Sequence, residues 1–173
     1  VPASVSTLGK SGPEGVSITV TSESEEKLFR RCVVNNAAYD YITRCKPDDM
    51  GITAPPKDLR IWLFHALKAS SAVMIHHGTI LSAELLDKFL GDYSSLIRYF
   101  APDVTIGVKN LDTYSSIYSE VCHELSHASH FSKVGVDYWN KYIRYIVKSY
   151  LATGGMTYGD GVSEDAGYCE IGE

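Results

Sequence analysis

With 173 residues, of which 45% are apolar and 21% charged, the chain has the make-up of one globular domain large enough to bury a core. Its net charge of −5, with no basic cluster beyond Arg30-Arg31, argues against a nucleic-acid partner. No apolar run approaches the length needed to cross a bilayer, so no transmembrane segment is expected.

Residues 1–15 are polar and rich in Ser, Gly and Pro; they read as a flexible leader before a single domain over 16–173. The leader has no secretory signal pattern, and an opening Val in place of Met suggests a processed or trimmed chain. Val16, Ile18 and Val20 alternate with polar neighbours, which predicts a half-buried strand over Val16–Thr21. Ser22 followed by Glu25 is a capping-box pattern. It opens a predicted helix that buries Leu28, Phe29, Cys32, Val33, Ala37, Tyr41 and Ile42 and stops before Pro47. Lys46–Lys57, with Pro47, Gly51, Pro55 and Pro56, reads as a loop.

Asp58–Leu67 sets Leu59, Ile61 and Leu63 against Arg60, Trp62 and Phe64, a strand with both faces partly covered. Ala72–His76 is a candidate short strand, with His76-His77 at its polar end. Adjacent strand side chains face opposite ways, so those two histidines are not expected to share an ion. His65 reads as a satisfied, partly buried histidine. Ser82 caps a predicted helix through Leu90, extended by Tyr93–Phe100 past the break at Gly91. Pro102–Val108 is a further predicted strand, followed by a helix capped by Asp112 or Thr113. Asp137–Leu151 predicts another helix. Thr153–Gly167 holds five glycines and is a loop by composition, and so long a loop in a compact domain is usually functional or mobile.

The four cysteines, Cys32, Cys45, Cys122 and Cys169, have no metal-knuckle spacing. On one continuous helix Cys32 and Cys45 stand about 19 Å apart and cannot bridge. Cys122 reads as a small buried filler.

The chemistry concentrates in Ser119–Phe131, SEVCHELSHASHF, which contains His123-Glu124-Leu125-Ser126-His127. On a helix, positions i and i+4 share a face, so His123 and His127 can aim ring nitrogens at one ion. Glu124 is then placed to take a proton from a metal-bound water. Ile117, Tyr118, Val121 and Leu125 supply the buried side of that helix. A catalytic zinc wants three protein ligands and one open position. The metzincin pattern fails, because His130 and Lys133 stand where its Gly and His belong. His130 lies nearly two turns from His123 on a straight helix, too far to join both motif histidines on one ion. A second-shell hydrogen bond, a substrate contact or capping of the helix end suits it better. Glu164, Asp165, Glu170 and Glu173 are the downstream carboxylates that remain as third-ligand candidates. Tyr158 and Tyr168 are weak candidates to stabilise an oxyanion.

The run HELSHASHF, the segment Val136-Asp137-Tyr138-Trp139 and the Gly-rich stretch ending Gly172-Glu173 resemble zinc metallopeptidases of the gluzincin type. Val34-Asn35-Asn36-Ala37 and Pro55-Pro56-Lys57-Asp58-Leu59-Arg60-Ile61-Trp62 extend the likeness, which is to secreted or lipid-anchored zincin-like proteins of gut bacteria. The resemblance implies an α+β fold of zincin-like type, a small mixed sheet packed on helices with the HExxH helix at the active site. It implies zinc held by His123, His127 and Glu173, with Glu170 the alternative third ligand and Glu124 the general base. It further implies a peptide or protein substrate, laid along an edge strand for which Pro102–Val108 is the analogue, and a secreted or cell-surface bacterial location. Such families continue beyond the ligand Glu, so the chain is expected to be a fragment truncated at its C-terminus. Two rival readings stand beside this one: a non-catalytic zincin-like binding or scaffold module, and a zinc hydrolase acting on another bond.

Overall fold

The computed structural model describes Pro13 and residues 19–23, 25–46, 48–80 and 99–153. Its elements run helix, strand, strand, helix: α1 Glu26–Arg44, β1 Ile61–Phe64, β2 Val104–Gly107 and α2 Tyr114–Ala152. The mixed helix-and-strand character expected of the sequence is present, with two parallel strands as its sheet. Neither helix is long and apolar enough over its length to cross a membrane.

α1 begins three residues later than the Ser22 capping box implied. Glu25 holds the N-cap position without a side-chain capping bond, and Ser22 and Glu23 lie in a turn ahead of it. The helix buries Arg30, Val33, Val34, Ala37 and Tyr41, a stripe at helical spacing. Ile42, expected to point inward, is 43% exposed, because it follows Tyr41 by about 100° around the axis. The buried Arg30 is held by Glu26 at 2.7 Å and Asp112 at 3.0 Å, which ties the start of α1 to the approach of α2. α1 ends at Arg44, ahead of the Pro47 position, and 48–57 forms neither helix nor strand, as expected.

β1 and β2 pair in register from Ile61↔Val104 to Phe64↔Gly107. All four residues of β2 are buried, which is how a parallel strand sandwiched between layers reads. The Asp58–Leu67 strand is therefore real but only four residues long. The strand expected at Ala72–His76 shrinks to one antiparallel bridge, Ser71↔Thr105. Beyond it Met74 takes a positive φ of 61° and 75–78 turns, so the run cannot stay extended. That segment occupies the second edge of β2: Ser71 and Thr105 exchange backbone hydrogen bonds of 2.8 and 2.9 Å, and Met74 N–H donates to Asp103 O. β2 is thus not the free edge strand anticipated for a substrate.

α2 starts at a reciprocal capping box in which Thr113 Oγ1 accepts from Ser116 N–H and Ser116 Oγ accepts from Thr113 N–H. Asp137–Leu151 is the second half of this same element, set off by Gly135 at φ 79°, ψ 167°. The break is a sharp turn, since the rings of Trp139 and Tyr142 come within 5.4 and 5.3 Å of His130. On a straight helix, residues 9 and 12 positions apart stand about 14 and 18 Å apart along the axis.

Two apolar clusters result. One joins Val33, Val34, Ala37 and Tyr41 of α1 to Val104 and Ile106 of β2 and Ile117, Val121 and Leu125 of α2. The other gathers Met74, Ala128, Phe131, Trp139, Tyr142, Ile143 and Val147 around the break. Of the strand expected over Val16–Thr21, 16–18 lie outside the described residues and 19–21 form no strand. The helices expected at Ser82–Leu90 and over most of Tyr93–Phe100, and the loop expected beyond Thr153, lie outside them too.

Candidate metal centre

The rotation of α2 is set by Ile117, Val121 and Leu125, which pack it on β2 and α1, and by Ala128, which faces the second cluster; each is 0% exposed. At 100° per residue these positions span a stripe of about 80°, and Glu124 lies about 20° beyond its Ile117 edge, on the side of the two histidines. Its carboxyl is correspondingly buried, 5% exposed. His123 and His127 fall at the rim of the stripe, where the helix turns from core to solvent; His123 is exposed and His127 half-buried.

At that rim the two rings converge. His123 Nε2 and His127 Nε2 stand 3.2 Å apart, with ring planes at 89°. Two nitrogens bound to one tetrahedral zinc at 2.0–2.1 Å are separated by about 3.3 Å. The two nitrogens are within hydrogen-bond distance of each other, and the spacing also fits two ligand positions of such an ion. Among the described residues no three His, Cys, Asp or Glu side chains converge on a common point. A third protein ligand, if present, comes from elsewhere: Glu164, Asp165, Glu170 and Glu173 all lie outside the described residues, as do Tyr158 and Tyr168.

α1 grips this helix on both sides of the motif. Tyr118 Oη donates to Asp40 Oδ2 at 3.2 Å, five residues before His123. Tyr41 Oη and Ser129 Oγ share a buried hydrogen bond of 3.1 Å, two residues after His127. Cys122 sits half-buried beside the first cluster, and burial with the nearby Asp40 charge pushes its thiol pKa up. That suits the inert filler read from the sequence. Cys32 and Cys45 are free thiols, as their helical separation required.

No family model, curated protein or solved structure matches this chain.

His130 lies five residues before the break at Gly135, and its ring meets Tyr138, Trp139 and Tyr142 edge-on, with centroids 5.3–6.0 Å away. His76 and His77 do not diverge from a strand; on the 75–78 turn both direct Nε2 at Asp58, at 3.5 and 2.9 Å. His65 is as expected: its Nδ1 lies 3.4 Å from Arg30, and burial and that charge both lower its pKa.

Sequence reasoning missed the two carboxylates around His77. Asp103, 1% exposed, accepts from the backbone N–H of Arg60 at 3.0 Å and of His77 at 3.2 Å. An Asp at the mouth of an otherwise apolar strand was the available signal, since a buried carboxylate must find donors. The donors come from positions 43 and 26 residues away, which no local pattern reveals.

Proposed function

We propose that this chain is a zinc-dependent peptidase with a gluzincin-type site, in which His123 and His127 supply two ligands and Glu124 is the general base. The observation that carries the reading is the 3.2 Å separation of the two Nε2 atoms on one helix rim, the span required of neighbouring ligands on a tetrahedral zinc. When bound, zinc would acidify a water and polarise the scissile carbonyl. The residues do the rest. His123 and His127 fix the position at which substrate and water meet, and Glu124 takes the water's proton and returns it to the leaving amine. The anchors Tyr41–Ser129 and Tyr118–Asp40 hold the stretch that carries the two rings against α1. The third ligand is assigned to Glu173, with Glu170 as the alternative, and the zincin-like architecture is part of the same proposal. So is a peptide or protein substrate.

The test is zinc affinity together with cleavage of a broad peptide library. His123→Ala and His127→Ala are each expected to abolish stoichiometric zinc binding. Glu124→Gln should retain zinc and lose turnover by at least about 100-fold, the usual size of a general-base contribution. Zinc bound as tightly by the histidine variants would overturn the site. Zinc bound by the wild type with no cleavage of any library member would leave the binding or scaffold module as the function.

A further inference from the structure

His77 lies between two carboxylates. Its Nε2 is 2.9 Å from Asp58 Oδ1, and its Nδ1 is 2.9 Å from Asp103 Oδ1. The Asp103 side chain is fully buried, while Asp58 is 72% exposed. Asp103 Oδ1 also accepts the His77 backbone N–H, and its contact with Nδ1 is a charge attraction rather than a hydrogen bond. A neutral imidazole has one N–H and one lone pair. Protonation sets a positive charge between the two carboxylates with Nε2–H donating to Asp58, whereas a neutral ring keeps at most that one hydrogen bond and loses the charge attraction on both sides.

The turn bearing His77 is tied to α2. The His77 ring meets Phe131 edge-on at 5.9 Å, one helical turn beyond His127. Trp139 Nε1 donates to Val73 O, Asn140 Oδ1 accepts from Ile80 N–H, and the buried Met74 enters the turn at a positive φ of 61°. A non-Gly residue held at positive φ costs energy and persists only when its surroundings impose it.

We propose that His77 is a protonation-dependent latch: as imidazolium it bridges Asp103 to Asp58 and clamps the 75–78 turn onto the sheet beside α2, and on losing its proton it loosens that turn. The charged and titratable groups that bear on it are Asp58 from the segment before β1, Asp103 from the entry to β2 and His76 from its own turn. α2 meets it through the uncharged ring of Phe131. Partial burial works against the charge, but the two carboxylates outweigh it and hold the His77 pKa above its ordinary value. Asp58 is shifted the opposite way, its carboxyl pKa lowered chiefly by the hydrogen bond with His77. The sign follows from linkage. The latch is fully closed below the ordinary histidine pKa of about 6.5 and opens as pH rises through the higher value in the folded protein.

The experiment is an NMR titration of the His77 ring, with amide hydrogen exchange across 75–79 corrected for the intrinsic pH dependence of exchange. Titration above about 6.5 is expected, with protection of the 75–79 amides falling severalfold over the same pH range. Asp58→Asn, a change at an exposed side chain that should not disturb folding, ought to shift both transitions to lower pH together. A His77 that titrates at or below the ordinary value, or protection that ignores its titration, would overturn the latch. Neither readout depends on zinc or turnover, so the latch can fail while the peptidase reading stands, and the reverse.

Discussion

Tyr41 and Ser129 show how a single contact can hold the candidate site in place. Their hydroxyls meet 3.1 Å apart inside the α1–α2 interface, two residues from His127. Tyr41→Phe removes one hydroxyl and leaves Ser129 to find another acceptor or donor away from water. A net loss of about 1 kcal/mol in unfolding free energy is expected, within the usual range for a buried hydrogen bond. Chemical denaturation measures it, and an unchanged midpoint would mean that the contact contributes nothing. His123 and His127 were legible from the sequence because a four-residue spacing fixes a shared face wherever a helix forms. The site around His77 was not, because its partners Asp58 and Asp103 come from two other segments. His76-His77 reads as a divergent strand pair only while the backbone stays extended, and the turn at 75–78 removes that premise.

At the scale of elements, two glycines set the geometry for unlike reasons. Gly135 stands at φ 79°, ψ 167°, a region essentially closed to residues with a Cβ, although open space surrounds it. Gly135→Ala should therefore cost about 1–3 kcal/mol through backbone strain alone. It should also disturb the return of Trp139 onto Phe131, visible as a change in near-ultraviolet circular dichroism. At Gly107 the obstacle is steric: a Cβ would lie 2.5 Å from Ala69 O and 2.8 Å from Leu67 O, both backbone atoms that cannot rotate aside. Gly107→Ala is expected to destabilise by about 1–3 kcal/mol, as overpacking does, by pushing 67–69 off the end of β2. Equal stability in either variant, by thermal melting, would contradict the corresponding argument. The sequence announced the first half of α2 clearly, through Asp112 or Thr113 as its cap and Ile117, Val121 and Leu125 as its buried side. It announced the short pieces poorly: an apolar run such as Ala72–Ile75 suits a strand as well as a buried turn, and pairing across the chain decides between them. The break at Gly135 lies between these cases, since a glycine inside a helical pattern signals a bend without fixing its angle.

Across the whole molecule, α2 is the member common to both apolar clusters. Leu125 closes the first, three residues before Ala128 opens the second, and the half-buried Leu59 packs against each. A rigid helix that belongs to both cores should make them melt together. Its loss from one face exposes the other, so a two-state transition is expected despite two separate centres of packing. The chain carries a natural reporter for each region. Trp62 on β1 packs against Phe100 with ring centroids 4.6 Å apart and planes tilted by 35°, and the fully buried Trp139 sits at the heart of the second cluster. These are its only tryptophans, so Trp62→Phe and Trp139→Phe each leave one probe. Leu125→Ala, which empties a fully buried site in the first cluster, is expected to cost about 2–5 kcal/mol. Placed on each single-tryptophan background, it should lower the midpoint seen by Trp139 by as much as the midpoint seen by Trp62. A shift confined to the Trp62 signal would mean that the break at Gly135 uncouples the two halves of α2. The segment bearing His123 and His127 would then depend on the first cluster alone.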